Sequence, residues 1–190
     1  MGFALAEAAR ARGAEVTVIA GATSAEPPAS VKLVRALSAE EMRAAVMKEV
    51  SGATVFIAAA AVSDYRPTER AANKIKKAGA NLTLTLEPTP DILAEVARDK
   101  QKGLLVIGFA AETNDALKNA RAKLDSKKLD AIVANDITRM GAGFDTETNI
   151  VTIITGASEA PVELQLMSKL EASHRILDEV ALLRRTQNGR

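Results

Sequence analysis

Short apolar runs alternate with amphipathic stretches along most of this chain, and this alternation limits the possible folds more than any other feature. The runs are rich in β-branched residues, as expected for strands covered on both faces. The stretches between them repeat apolar residues with a period near 3.6, which predicts helices. The predicted strands are 15–20, 31–35, 54–60, 104–109 and 130–134, and the predicted helices are 2–12, 39–50, 90–100, 114–128 and 169–184. This order predicts an α/β fold with a Rossmann-like, mostly parallel sheet and helices on both faces.

Two features modify this outline at the ends of the chain. Residues 149–155 and 161–166 alternate in polarity around Gly156, which predicts a C-terminal antiparallel hairpin. A doubly wound domain normally opens with a strand and a Gly-rich turn, whereas this chain opens on a predicted helix. We therefore expect residues 1–190 to form a single nucleotide-binding domain that lacks its first strand and first loop.

Capping residues predict where the helices begin and end. Gly13 follows the first helix, where a left-handed residue would terminate it. Thr89 followed by Pro90 predicts an N-cap and a first helical position. Capping boxes are predicted at Ser38 with Glu41 and at Ser168 with Glu171.

Composition excludes several classes of function. The 25 basic and 24 acidic residues give a net charge of +1, which argues against a nucleic-acid or membrane partner. The chain contains no cysteine, which rules out disulfides, thiolate metal sites and a cysteine nucleophile. No apolar run approaches the ~20 residues that a bilayer span needs. These properties predict a cytoplasmic protein.

The ends of the predicted strands are where an open α/β sheet binds its ligand, so we examined the residues that follow them. Ala58, Ala59, Ala60 and Ala61 end one strand and precede Asp64. Small residues there would let a flat ligand approach the backbone, and Asp64 could bind a hydroxyl, a base amino group or Mg²⁺. The alternative interpretation is a small-residue packing site in which Asp64 caps a turn.

Two further segments could bind phosphate. The loop 68–81 contains Lys74, Lys76 and Lys77 and ends near Gly79, and it could close over a charged ligand. A solvated basic loop is the alternative. Pro90, Asp91, Ile92 and Leu93 form a predicted helix N-terminus, which is a ready anion site. Here ordinary capping by Asp91 is the alternative, because its carboxylate already satisfies the helix dipole.

The segment after the next strand adds three candidates. Phe109 ends that strand and could pack on a base, or it could belong to the core. The helix that follows, with Thr113 or Asn114 as its cap, carries Lys123 and Lys127 four positions apart. Like charges at this spacing repel, so a nearby anion would explain them, and interaction with the helix C-terminal dipole is the alternative.

Well-known motifs are absent from the sequence. It has no Gly-x-x-x-x-Gly-Lys-Ser/Thr loop and no Gly-x-Gly-x-x-Gly at the start of a helix. The single histidine, His174, lies in mid-helix, and alone it indicates neither a metal site nor a catalytic triad. These absences disfavour a classical nicotinamide-dependent dehydrogenase.

Seven segments, in this order, resemble the bacterial phosphopantothenate–cysteine ligase family, and the resemblance extends from residue 1 to about residue 184. Among them are Ala-Ala-Ala-Val-Ser-Asp-Tyr-Arg-Pro, Lys-Ile-Lys-Lys and Gly-Phe-Ala-Ala-Glu-Thr. The segments are residues 2–6, 14–21, 59–67, 74–77, 90–93, 108–113 and 130–136.

The resemblance implies a two-step reaction. The carboxylate of 4′-phosphopantothenate attacks the α-phosphate of CTP to give an acyl-cytidylate and pyrophosphate, and the amine of cysteine then displaces CMP. The resemblance also implies that Lys74 is a lid lysine at the reacting phosphate, and that Ala60 and Ala61 contact the intermediate. Mg²⁺ is expected to bind with CTP, mainly through phosphate oxygens. The implied nucleotide contacts are Ala58, Ala59, Ala60, Asp64, Lys74, Pro90, Asp91, Ile92, Leu93, Phe109, Lys123 and Lys127.

The chain departs from the family at its start, where the family has a strand, a Gly-rich turn and an asparagine that handles the acyl-cytidylate. We therefore expect nucleotide binding to survive better than turnover. The family also implies a homodimer, with the 149–166 hairpin as one candidate contact, and a parent protein fused to an FMN-dependent decarboxylase domain not present here. A non-catalytic nucleotide-binding or dimerisation fragment is the alternative, and a nicotinamide-dependent Rossmann enzyme is a more distant one.

Overall fold

A computed structural model describes the protein at residues 1–69, 71, 73–76, 81–112, 115–136, 141, 146–156, 158 and 160–189. It shows a mixed α/β fold in which helices flank a mostly parallel sheet, as predicted. The helices are α1 (Gly2–Ala11), α2 (Ala39–Val50), α3 (Ile92–Arg98), α4 (Ala116–Lys127) and α5 (Lys169–Asn188). The strands are β1 (Thr17–Ala20), β2 (Lys32–Arg35), β3 (Val55–Ala58), β4 (Tyr65–Pro67), β5 (Leu86–Pro88), β6 (Leu105–Glu112), β7 (Ala131–Asp136), β8 (Thr148–Asn149), β9 (Val151–Thr155), β10 (Val162–Glu163) and β11 (Met167–Ser168).

The central sheet has five strands in the order β10-β9-β7-β6-β3. β3, β6 and β7 run parallel, with Val55 beside Leu105 and Ile107 beside Ala131. β9 joins antiparallel to β7, and β10 pairs antiparallel with β9, which confirms the predicted C-terminal hairpin. β1 and β2 form a separate parallel pair, and β4–β5 and β8–β11 form two antiparallel pairs.

The sheet is covered on both faces, because successive side chains of a strand point to opposite sides. Leu105, Val106 and Ile107 are all fully buried. Leu105 and Ile107 pack into a cluster that includes residues of α1 and α5, whereas Val106 packs into a cluster that includes residues of α3 and α4. This two-sided burial explains the continuous apolar runs that predicted the strands.

Some predicted helix ends are confirmed and one is wrong. Gly13 has a φ of +83°, which is the left-handed conformation expected after α1. The capping box of Ser168 with Glu171 is complete. Ser38 accepts the N–H of Glu41 as predicted, but the Glu41 carboxylate accepts the N–H of Leu37 rather than that of Ser38.

The predicted start of α3 is the wrong one. Thr89 is not its N-cap, and Pro90 is not its first residue. Asp91 is the N-cap, because its carboxylate accepts the N–H of Ala94 at 2.9 Å. The Thr89 hydroxyl instead donates to the carbonyl oxygen of Ser63.

The sequence analysis did not predict the β4–β5 pair, and β6 extends beyond its predicted end. The Thr113 and Asn114 capping candidates, and Lys77 and Gly79 of the basic loop, lie outside the described residues. Within the described part of the chain, no helix combines the length and apolar character needed to cross a membrane.

Candidate functional site

Residues of β1 and β3 line a groove of about 1930 Å³. It extends to the carboxyl ends of β3 and β6, where open parallel sheets bind their ligands. Except for Lys74, all of the predicted site residues line this one groove. They are Ala58, Ala59, Ala60, Ala61, Asp64, Pro90, Asp91, Ile92, Leu93, Phe109, Lys123 and Lys127.

The alanine segment forms the wall of the groove at the end of β3. Ala58 and Ala59 are half-buried, whereas Ala60 and Ala61 are exposed. A Cβ built on Gly2 would lie 4.0 Å from the Cβ of Ala59, so the N-terminal end of α1 packs close to this segment. Short side chains at these positions leave the backbone accessible to a planar ligand.

Two hydrogen bonds fix the loop that carries Asp64. The Thr89 hydroxyl donates to the carbonyl oxygen of Ser63 at 2.5 Å, and the Thr89 N–H donates to the carbonyl oxygen of Asp64 at 2.9 Å. Asp64 is exposed and lines the groove. The loop after β3 is therefore tied to the segment that leads into α3, and the two walls of the site are held together.

An ion pair joins the start of α3 to the last turn of α4. The Nζ of Lys127 lies 2.5 Å from a carboxylate oxygen of Asp91, with side-chain exposures of 22% and 49%. Burial by itself would raise the pKa of Asp91. The hydrogen bonds from Lys127 and from the Ala94 N–H, with the charges of Lys127 and Lys123, outweigh burial and hold the pKa of Asp91 below its ordinary value. Asp91 is therefore ionised at neutral pH, between two cations.

Close packing beneath the site depends on Gly108 in β6. A Cβ at this position would lie 2.9 Å from Cδ2 of Leu93 and 3.0 Å from Cδ1 of Leu129. Its neighbour Phe109 is half-buried, packs on the core cluster that contains Val133, and also lines the groove. The two interpretations of Phe109, as core residue and as site residue, are therefore compatible.

Lys74 lies apart from the other predicted residues. It is exposed and is not among the residues that line the groove. The chain around it leaves β4 after Pro67 and returns at Leu86 in β5, so β4 and β5 form the base of this segment. The structure places the other predicted residues together and leaves Lys74 outside them.

The groove also has residues that sequence reasoning did not assign to the site. Thr146, Glu147 and Ser168 line it with Met1, at the N-terminal end of α1. Thr146, Glu147 and Ser168 come from the C-terminal part of the chain, where the sequence analysis marked only Ser168, as a helix cap. Thr89, which was predicted only as a helix cap, fixes the Asp64 loop instead.

Within the described residues, no group of three or more His, Cys, Asp or Glu side chains is placed to hold a metal ion. One carboxylate of the groove, Asp91, is engaged by Lys127.

A mostly parallel sheet with helices on both faces and a groove at the carboxyl end of β3 defines a protein of the open-sheet α/β class, in which ligands bind at that edge. The chain belongs to the DNA/pantothenate metabolism flavoprotein C-terminal domain family, whose model matches residues 1–183.

Individual relatives agree with this assignment. The chain is 44% identical over 184 residues to the coenzyme A biosynthesis bifunctional protein CoaBC of Bacillus subtilis (strain 168), covering 96% of this chain and 45% of that protein. It thus spans about half the length of this curated relative. The crystal structure of the C-terminal domain of a CoaBC protein superposes with a TM-score of 0.79 at 36% identity, over 96% of this chain and 81% of that one. The Cab2 mutant H337A in complex with phosphopantothenate-cysteine shares the fold, with a TM-score of 0.64 at 18% identity over 84% of this chain and 55% of that one.

Proposed function

We propose that this chain is the ligase domain of a coenzyme A biosynthesis protein and joins 4′-phosphopantothenate to L-cysteine at the expense of CTP. Two observations support the proposal. The Bacillus subtilis relative is a coenzyme A biosynthesis protein, and a protein of the same fold is in complex with phosphopantothenate-cysteine. The single observation that carries the proposal is the groove, which brings the alanine segment, Asp91, Phe109, Lys123 and Lys127 to one edge of the sheet.

The proposed reaction has two steps. A carboxylate oxygen of phosphopantothenate attacks the α-phosphorus of CTP, the bond to the bridging oxygen breaks, and pyrophosphate leaves. The amine nitrogen of cysteine then attacks the acyl carbon, loses a proton, and CMP leaves with the bonding electrons. Neither step needs a covalent bond to the protein, so the groove acts by positioning and by charge stabilisation.

In this proposal, each group of residues contacts a different part of the substrates. Ala58, Ala59 and Ala60 lie against the cytidine, and Asp64 faces it from the same loop. Lys123 and Lys127 neutralise the triphosphate. Ala60 and Ala61 border the space for the acyl intermediate. Lys74 reaches the reacting phosphate by closure of its segment over the groove, since it lies outside the lining.

Two lining residues of α3 have a supporting role in this proposal. Ile92 is buried and Leu93 half-buried, so their side chains support the groove floor. Pro90 shapes the entry to α3. In the first turn of this helix, the N–H of Ala94 already donates to the Asp91 carboxylate. Mg²⁺ would enter with CTP and add charge neutralisation between the phosphates.

The division of the sheet supports a further element of this proposal. In the described structure, β1 pairs with β2 and β3 pairs with β6, and the groove separates β1 from β3. The N-terminal end of α1 lies at Ala59, beside the carboxyl end of β3. A strand leading into α1 would therefore run parallel to β3 in this groove. We propose that the complete ligase domain has such a strand and a loop that completes the substrate site.

The wider assembly is also part of the proposal. We propose a cytoplasmic parent protein in which this domain follows an FMN-dependent decarboxylase domain. The bifunctional relative, of which this chain covers 45%, supports such a fusion. We propose a homodimer in which the partner helps to close the substrate site. The 149–166 hairpin is one candidate for the dimer contact. Most of its strand β9 is already buried within the central sheet.

Calorimetry with CTP, ATP and NAD in Mg²⁺ tests the nucleotide site. We expect CTP to bind selectively, and the Lys123→Ala, Lys127→Ala double variant to lose that binding. Lys118→Ala is the control, because Lys118 is exposed on the same helix and does not line the groove. Equal loss in the control, or selective binding of NAD, would contradict the proposal.

Release of pyrophosphate distinguishes the ligase from a non-catalytic nucleotide-binding fragment. CTP, phosphopantothenate and Mg²⁺ are mixed with the protein, with and without cysteine. Pyrophosphate that depends on phosphopantothenate supports the first step, and phosphopantothenoylcysteine formed on adding cysteine supports the second. CTP binding without pyrophosphate release from the 190-residue chain would favour the non-catalytic alternative.

A further inference from the structure

The ion pair of Asp91 and Lys127 lies where the proposed triphosphate would bind. Both residues line the groove, and their charged atoms are 2.5 Å apart. Lys123 lies on the same helix one turn earlier, lines the groove, and is close enough for its charge to stabilise ionised Asp91. The groove wall therefore already holds an anion that pairs with Lys127 and lies within range of the charge of Lys123.

The burial of its lysine distinguishes this pair from two other ion pairs. Arg98 and Asp99 pair at 2.6 Å at the C-terminal end of α3, but they are adjacent in sequence and neither lines the groove. Lys32 and Glu49 both line the groove and pair at 2.6 Å, but Lys32 is 60% exposed. Asp91 and Lys127 come from two elements, and the lysine is mostly buried with 22% of its side chain exposed. A long side chain held in this way has already lost part of its rotamer freedom.

We propose that Asp91 is an internal counter-ion that holds Lys127 at the groove wall and releases it to a bound polyphosphate. The inference rests on the proposed function of the groove. A polyphosphate competes with the Asp91 carboxylate for Lys127, and it carries more negative charge, so the lysine moves to the ligand. Asp91 thereby lowers the affinity for any polyphosphate, and it keeps the two like-charged lysines together while the groove is empty.

Asp91→Asn is the direct test, because asparagine caps a helix as well as aspartate does and the start of α3 is kept. Tripolyphosphate and CTP, each with Mg²⁺, are the probes, measured by calorimetry. We expect both to bind roughly 1.5- to fivefold more tightly to the variant, the range set by loss of a partly exposed ion pair. Asp99→Asn, which removes a carboxylate of the same helix outside the groove, should leave both affinities unchanged.

A double-mutant cycle links the gain to Lys127. When Lys127 is already alanine, Asp91→Asn should give a much smaller gain, because the competition has been removed. Equal or weaker polyphosphate binding by Asp91→Asn, with unchanged far-ultraviolet circular dichroism, overturns the inference. The same gain in the Lys127→Ala background also overturns it.

The outcomes separate this inference from the proposed function. If wild-type protein binds tripolyphosphate but does not distinguish CTP from ATP, the cytidine assignment fails, and a gain in Asp91→Asn still supports the counter-ion. If CTP binds selectively and Asp91→Asn shows no gain, the proposed function stands and the counter-ion role fails. If neither probe binds to any variant, both fail.

Discussion

The central strands and the two strands that border the groove have similar apolar sequences and different surroundings. In β6, Leu105, Val106 and Ile107 are fully buried between neighbouring strands and two layers of helices. All four residues of β3 are only half-buried, and β1 begins on an exposed threonine. A continuous apolar run thus predicts that a strand can be buried on both faces, and the neighbouring elements decide whether it is.

Because of this difference in burial, we expect the interior strands to contribute mainly to stability and the groove strands mainly to ligand binding. The interior strands have almost no polar surface available for a ligand. The groove side carries the exposed backbone, the lysines and Asp91. Regions that bind ligands are commonly drawn from the less stable part of a fold. If stability and ligand binding are divided in this way, substitutions in the interior and at the groove should have different effects.

The largest expected effect is from truncating an interior side chain. Ile132 in β7 is fully buried, so Ile132→Ala should lower the free energy of unfolding by about 2–5 kcal/mol. Val18 in β1 is half-buried at the groove, so Val18→Ala should cost about 1 kcal/mol or less. Urea unfolding of both variants measures the contrast. Equal losses would show that the groove side is as tightly packed as the interior.

A smaller effect is expected where the two regions meet, at Gly108. A methyl group there would overlap Leu93 and Leu129, so Gly108→Ala should cost about 1–3 kcal/mol and should also weaken nucleotide binding by moving Leu93. Gly21→Ala is the matched control. Its methyl group would lie 3.7 Å from the nearest atoms, so the change in stability should stay within about 0.5 kcal/mol. A thermal scan and a CTP titration of each variant give the two readouts. A Gly108→Ala protein with wild-type stability and affinity would contradict this packing argument.

The comparison also shows how far sequence reasoning extends. Local sequence patterns predicted the five main helices, the parallel strands and the C-terminal hairpin. Apolar runs and 3.6-residue periodicity can both be recognised within short segments. The β4–β5 pair was missed because Pro67 and Pro88 lie within it, and proline argues against a paired strand.

Non-local contacts could not be predicted in the same way. Thr89 and Asp91 both suit an N-cap, and only the pairing of Thr89 with Ser63 and of Asp91 with Ala94 decides between them. Carboxyl-end reasoning pointed to residues that, apart from Lys74, the structure brings together in one groove. The approach of Lys127 to Asp91 depends on how α4 packs beside α3, which no local pattern specifies.

The smallest expected effect is the contribution of Asp91 to stability, and its sign follows from its pKa. Burial would raise that pKa, but the lysines and the Ala94 N–H lower it below the ordinary 3.8 in the folded protein. The ionised carboxylate therefore stabilises the fold above pH 3.8, and this stabilisation is lost as the pH falls through the folded-state pKa. Because about half of the side chain is exposed, we expect only a few tenths of a kcal/mol.

Urea unfolding of wild-type protein and of Asp91→Asn between neutral pH and acid measures this contribution. The variant should be slightly less stable at neutral pH, and the two curves should converge as Asp91 becomes protonated. A difference that grew on acidification would mean that Asp91 destabilises the fold when ionised. If the free energy of unfolding fell by several kcal/mol at neutral pH, the ion pair would contribute as much to stability as a packed interior side chain does. Tighter polyphosphate binding at a small cost in stability is the combination expected of a residue that serves the groove and not the core.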